Sequence, residues 1–227
     1  EAAIGAADDG DTVELLSDVT VDSIVKIEKA ITIDGADLYT VTGTAAKTFE
    51  VYADASFEDV TIVNTASKGR CVDTRTNVDL ELTNVTLSAV KGNSQPLTVG
   101  GSDDGTNVTI TDSSIDAGNS GYGIITFVEC EITLDNSTVC GYAALYVKSG
   151  SENSVINVTN GSVLEGNNVH GGTTNDFGTV VIDTSDVTVN VVDSEIVCDK
   201  TGDASHVLFS LGGNENVTVD VDAASIL

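Results

Sequence analysis

The sequence predicts an all-β chain folded as a right-handed, single-stranded parallel β-helix of about nine coils, with three short strands per coil. Three observations carry this reading: one apolar pattern recurs along the whole chain, a second strand signal precedes most copies, and Asp or Asn recurs at a fixed offset within the copies. Self-similarity at such a period is the signature of a solenoid. The pattern is apolar, any residue, apolar, four residues, apolar. Leu80-Glu-Leu82 with Leu87, Val108-Thr-Ile110 with Ile115, and Ile132-Thr-Leu134 with Val139 are clear copies. Ile156-Asn-Val158 with Val163, Val189-Asn-Val191 with Ile196, and Val219-Asp-Val221 with Ile226 continue it. Ile31-Thr-Ile33 with Leu38 and Ala55-Ser-Phe57 with Ile62 precede them, and Val13-Glu-Leu15 is a degenerate first copy. Uneven spacing around a constant motif places loop insertions at tolerated corners of the coil.

Within each copy the period is two, which makes it a strand with one buried face. The second strand signal is Phe49-Glu-Val51, Leu97-Thr-Val99, Ile125-Thr-Phe127, Leu145-Tyr-Val147, Val180-Val-Ile182 and Leu208-Phe-Ser-Leu211. The lone apolar residue after each four-residue gap marks a third short strand. Coils stacked at strand separation, about 4.8 Å each, give a rod of about 40 Å. The opening Glu1-Ala-Ala-Ile-Gly-Ala-Ala predicts a short helix, and residues 1–12 are expected to cap the first coil of a single domain spanning 1–227. No cap signal follows at the other end, so the C-terminus is expected to be cut from a larger protein.

The third observation is the column Asp59, Asn84, Asp112, Asn136, Asn160 and Asp193, four residues after each copy begins. Asn and Asp tolerate left-handed backbone geometry and bond within their own turn. Stacked coil on coil, they predict a corner ladder. Asn-X-Ser/Thr occurs at Asn84, Asn107, Asn136, Asn157, Asn160 and Asn216. Three of these belong to the ladder, where the amide is expected to be engaged rather than glycosylated.

Composition narrows the function. Hydrophobic residues are 41% of the chain and aromatics only 4%, so Val, Ile, Leu and Ala must build the core. Nine basic residues stand against 36 acidic ones, a net charge of −27. That charge repels phosphate backbones and anionic lipid, so nucleic acid is excluded as a partner. An anionic polysaccharide would need bridging cations. Calcium is compatible with the acidic surface, but no cofactor is called for. No run of eighteen apolar residues exists to span a membrane, and no signal peptide or sorting signal is visible.

Cys71, Cys130, Cys140 and Cys198 fit neither a zinc site nor a small stapled fold. Cys140 and Cys198 occupy similar places in coils separated by an intervening one, too far apart for a bridge. Free buried thiols are expected, with Cys130–Cys140 the one pair left open. His170 and His206 lack a second ligand at metal spacing. Tyr122, Tyr142 and Tyr146 are either a sugar-stacking cluster or outer-face strand residues.

Ala6-Ala-Asp-Asp-Gly-Asp-Thr-Val-Glu-Leu15, followed by Ile31-Thr-Ile-Asp-Gly35, resembles the first coils of pectate-lyase-like β-helix proteins. Ser154-Val-Ile-Asn-Val-Thr-Asn-Gly-Ser-Val-Leu-Glu-Gly166 looks like coils of large bacterial surface proteins and adhesins. The resemblance covers nearly the whole chain but is one of fold, which serves lyases, hydrolases, tailspikes and adhesins alike. What it implies for catalysis can be checked residue by residue. Lyases of this type use clustered acidic calcium ligands and a basic proton acceptor. Gly69-Arg-Cys-Val-Asp-Thr-Arg75 is the best match, without an obvious partner acid in neighbouring coils. Polygalacturonase-like motifs are represented only by Asp103-Asp104 and His170-Gly-Gly, and the Asp pair reads better as a turn. No privileged carboxylate pair stands out for hydrolysis.

The expected function is therefore a non-enzymatic module of a secreted or cell-surface bacterial protein. Adhesion, contact with carbohydrate or a host-cell surface, or service as a stalk all fit a rigid rod. The alternatives are a polysaccharide lyase or glycoside hydrolase, and a filament subunit stacking end to end. The long inserts Lys91–Gln95 with Ser102–Gly105, Asn167–Phe177 and Asp199–Ser205 are expected to form one polar edge. Asn167, His170, Asn175 and Asp176 are its candidate ligand-contacting groups.

Overall fold

Alternating apolar residues cannot be half-buried on an isolated strand, so each copy must stack on its neighbours. The computed structural model, which describes residues 1–167, 178–198 and 208–227, shows that stacking as a parallel β-helix. Every pairing between its strands is parallel, and strands one coil apart are neighbours in three sheets. Sheet A has nine strands, from Thr12–Glu14 to Thr218–Val221. Sheets B and C have eight each, so fewer than the expected nine coils are complete. The chain visits A, B and C in turn, leaving an A–B, a B–C and a C–A corner per coil.

Register follows the repeat. Leu82, Ile110, Leu134, Val158 and Val191 are successive partners in sheet A and all are buried. In sheet B, Ile62, Leu87, Ile115, Val139, Leu164 and Ile196 form the matching inward column. Several details differ from the sequence reading. Leu164, not Val163, faces inward in its sheet B strand, and Ile226 is 59% exposed. Leu38 does not enter the core and is 74% exposed, while Val41 takes the inward place opposite Ile62. Ala36 and Asp37 both adopt positive φ in that corner, which is three residues longer than the next: Ile33 and Val41 lie eight apart, their partners Phe57 and Ile62 five apart. In sheet C the inward pair of Tyr122–Thr126 is Ile124 and Thr126, not Ile125 and Phe127. Ile125 faces outward, because that outer face is buried too.

All six predicted corner residues, Asp59, Asn84, Asp112, Asn136, Asn160 and Asp193, sit at positive φ between 47° and 55°. The ladder is made of acid–amide pairs rather than one continuous row. Asn84 Nδ2 donates to Asp59 at 2.7 Å, Asn136 to Asp112 at 2.6 Å, and Asn160 to Asp135 at 2.9 Å. Asn107, Asn157 and Asn216 likewise donate to Asp79, Glu131 and Asp186. Every sequon amide therefore donates a hydrogen bond to an acid of the preceding coil. Just inside this corner lies a serine column. Ser113, Ser137 and Ser162 are buried. Ser137 Oγ accepts from Ser113 N–H at 3.0 Å, and Ser162 Oγ from Ser137 N–H at 3.1 Å.

The positive φ and the bond can be separated experimentally. Asn136→Gly loses only the bond to Asp112, at a cost of about 1 kcal/mol. Asn136→Ala also pays left-handed strain, roughly 1–2 kcal/mol more. Equal denaturant midpoints for the two variants would contradict this division.

The short helix Ala2–Ala6 lies over the first coil, tied by Ser23 Oγ donating to Glu1 and by Lys29 Nζ donating to Ala7 O. Its Ile4 packs on the core, but none of its residues is buried. An apolar cavity of about 210 Å³ remains beneath it, lined by Ile4, Val13, Leu15, Val21 and Phe49 among others.

Candidate functional site

The outer faces of sheets A and B carry ordinary polar residues, but that of sheet C does not. Its central outward column runs Lys26, Glu50, Asp73, Thr98, Ile125, Tyr146, Val181 and Ser210. From Glu50 to Val181 every member is at most 8% exposed, although all point away from the core. Two residues beyond this column on the same face stand Glu28, Tyr52, Arg75, Gly100, Phe127, Lys148 and Asp183. Lys47 and Arg70 pair with each other on its leading side.

The face has a charged half and an aromatic half. In the charged half, Asp73 is wholly buried, with Lys47 Nζ at 2.7 Å and Arg70 Nη1 at 2.9 Å from its Oδ2. Its cross-strand neighbour Glu50 accepts from Lys47 at 2.5 Å and from Tyr52 Oη at 3.0 Å. Arg75 reaches Glu50 only at 3.8 Å and Asp73 only at 3.9 Å, beyond hydrogen-bond length. The carboxylates form the floor and the cations the outer layer: Arg75 is 38% exposed, Arg70 27% and Lys47 19%, against 10% and 0% for Glu50 and Asp73. Five of the nine basic residues, Lys26, Lys47, Arg70, Arg75 and Lys148, project from this one face. Lys68 and Lys91 stand on the adjoining B–C corner, where Lys68 N–H bonds Lys91 O.

Asn64 fixes this corner. It is buried, and its Nδ2 donates to Ala45 O, Thr48 Oγ1 and Arg70 O, each at 3.0 Å. A side chain at Gly69 would strike Asn64 Oδ1 at 2.0 Å, so glycine is required where the chain enters the Arg70 strand. Arg70 is thus held by its backbone as well as by Asp73.

Burial pushes the Glu50 carboxyl up. Hydrogen bonds from Lys47 and Tyr52 and the charges of Lys47 and Arg75 outweigh burial and leave it below its ordinary value. A folded-state pKa below the unfolded one stabilises above the unfolded value, and that stability disappears as pH falls through the folded one. Melting temperature should therefore fall faster between about pH 5 and pH 3 in the wild type than in Glu50→Gln. Parallel profiles would contradict the assignment. Glu50 and Asp73 are the paired acids of neighbouring coils that sequence reading did not find.

In the aromatic half, Tyr122 meets Tyr146 edge to face at 5.1 Å and Tyr142 at 6.3 Å. Tyr146 and Tyr122 pack with Ile125, Ala143 and Val181 in a cluster separate from the main core. Tyr142 and Tyr146 are buried, so this is outer-face packing and not an open stacking platform. Lys148 Nζ lies 4.9 Å from the Tyr146 ring centre and 5.8 Å from that of Phe127, which is 37% exposed.

The predicted contact residues fare differently. Asn167 ends the described chain after the sheet B strand Val163–Gly166, half-buried, its N–H bonded to Gly141 O at 2.7 Å. His170, Asn175 and Asp176 lie outside the described residues. Lys91–Gln95 leaves the B–C corner, but Ser102–Gly105 leaves the C–A corner, so these two flank sheet C on opposite sides instead of forming one edge. Among the described residues no group of three or more His, Cys, Asp or Glu gathers as a metal site.

The four cysteines carry free thiols. Cys140 and Cys198 are separated by the intervening sheet B strand, as the repeat predicts. Burial pushes Cys71 up to about 12 against hydrogen bonds that oppose it, and Cys130 up to about 11. Burial, then Glu165 and Asp116, push Cys140 up to about 12. These three thiols should resist alkylation at neutral pH in the native state, and all four cysteines should titrate after denaturation without reductant. Fewer free thiols in the denatured monomer would reveal a bridge and overturn the coil geometry.

No protein-family model, curated protein or solved structure matches the chain.

Proposed function

We propose that the protein is a rigid β-helical module of a secreted or cell-surface protein, acting in adhesion through carbohydrate contact, with the outer face of sheet C as its contact surface. One observation carries this reading. A chain of net charge −27 concentrates five of its nine basic residues on a single flat face. Solubility alone would scatter them. A stacked sheet holds such side chains at fixed separations along the rod, which is what recognition of an extended ligand needs. The resemblance of the coils to bacterial surface proteins points the same way. Catalysis is not part of the proposal, because the two buried acids of this face, Glu50 and Asp73, are bound to cations.

A glycan array probed with the full chain tests it. Binding that is lost when Lys47, Arg70 and Arg75 are replaced together in a folded protein supports the reading. Binding unaffected by that change, or no glycan binding at all, removes it.

A further inference from the structure

The buried side-chain polar atoms without a hydrogen-bond partner among the described residues are Asp73 Oδ1, Arg75 Nε, Gln95 Oε1 and Thr98 Oγ1. A scatter of such atoms would be unremarked in a chain of this size, but these four belong to one place. Asp73 and Thr98 are cross-strand partners on adjacent coils, Arg75 follows Asp73 by two residues on the same face, and Gln95 leads into the Thr98 strand. Asp73 is 0% and Thr98 1% exposed. Each such group has given up its hydrogen bonds to water without gaining a partner. The molecule gathers this cost next to Arg75, a guanidinium that stands off from both neighbouring carboxylates.

We propose that Asp73, Arg75 and Thr98 form a subsite for a sugar unit that carries an oxyanion, a carboxylate or a sulfate; this rests on the contact face proposed above. The chemistry of the unpartnered atoms fits such a unit on both counts. Asp73 Oδ1 accepts from a sugar hydroxyl, and Thr98 Oγ1 donates to or accepts from another. Arg75 presents its fork to the oxyanion, as guanidinium does to planar or tetrahedral anions. Arg75 and Phe127, 38% and 37% exposed, occupy the outer layer here, and Gly100 between them adds no side chain. The local charge also answers the repulsion expected of so acidic a protein. Lys47, Arg70 and Arg75 against Glu50 and Asp73 leave one positive charge in excess, with the cations outermost. Lys148 carries the positive line further along the axis, three strands beyond that of Asp73 or about 14 Å. The ligand therefore lies along the rod, with its oxyanion at Arg75.

The test is calorimetric titration of the full chain with three probes of equal length. Hyaluronan oligosaccharide carries carboxylates, heparin oligosaccharide is rich in sulfate, and cello-oligosaccharide is neutral. One or both acidic probes should bind, more weakly as salt rises, and the neutral probe should not. Arg75→Gln should lower acidic-probe affinity about tenfold or more, and Arg75→Lys should restore only part of it. Thr109→Ala, on the outer face of sheet A, should leave affinity unchanged. Arg75 is the most exposed of the three clamping cations, and unchanged thermal melting of the variants establishes that they fold. Acidic probes binding wild type and Arg75→Gln equally would overturn the subsite and leave carbohydrate contact standing. Binding of the neutral probe alone would do the same. Failure of every glycan, on the array as in solution, would remove the contact face itself.

Discussion

Leu134→Ala is expected to destabilise the solenoid by about 3 kcal/mol, within the 2–5 kcal/mol usual for a buried large-to-small change. Leu134 is 1% exposed and lies between Ile110 and Val158 in the inward column of sheet A. The strands above and below are fixed by their own ladder bonds, so they cannot close over the missing methyl groups. Dispersion contacts are lost on both sides of the gap. Urea denaturation should show a lower midpoint. A loss under about 1 kcal/mol would mean that the column is not packed as described.

Asp73→Ala should cost about 3 kcal/mol by a different route. The substitution leaves Lys47 and Arg70 without their shared carboxylate and Arg75 with one acid nearby instead of two. Breaking a buried pair from one side is among the more damaging changes, because the charge that remains has lost its partner. The three cations are partly exposed, so water screens them and the figure belongs at the low end of that class. Asp73→Asn keeps the shape and one acceptor and should lose roughly half as much. If both variants matched the wild type in urea, the charged floor would contribute nothing to stability. The outward cations would then lack the support on which the subsite depends.

The fold was legible because its signals are local. Period-two alternation marks the strands, and a residue at positive φ marks the A–B corners from Asp37 onward, so the two together set the register. The misreadings came from places where one signal was missing. At Leu38 the corner is three residues longer, and fixed spacing chose the wrong residue. At Ile124 and Ile125 both faces of the strand are buried, so apolar character could not say which residue points inward.

The site was harder to read because its members meet only through stacking. Lys47, Glu50, Arg70, Asp73 and Arg75 come from two coils, and coil length varies along the chain. A signal was nonetheless present. Lys47-Thr-Phe-Glu-Val51 and Arg70-Cys-Val-Asp-Thr74 repeat base, any, apolar, acid in consecutive coils. Aligning the coils on sheet C rather than sheet A would have paired them. The inserts attracted attention instead because loops commonly carry recognition. Arg70, Asp73 and Arg75 had already been singled out from the sequence, but their partner Glu50 was not.

Backbone amide shifts of the uniformly labelled protein, followed by NMR as heparin or hyaluronan oligosaccharide is added, test the contact face most directly. The expected result is that the largest changes fall on Asp73, Arg75, Thr98, Phe127 and Lys148 in sheet C and its trailing turns, while sheet A residues such as Thr109 and Asn157 stay still. Changes centred on sheet A or sheet B, with sheet C unmoved, would contradict the account.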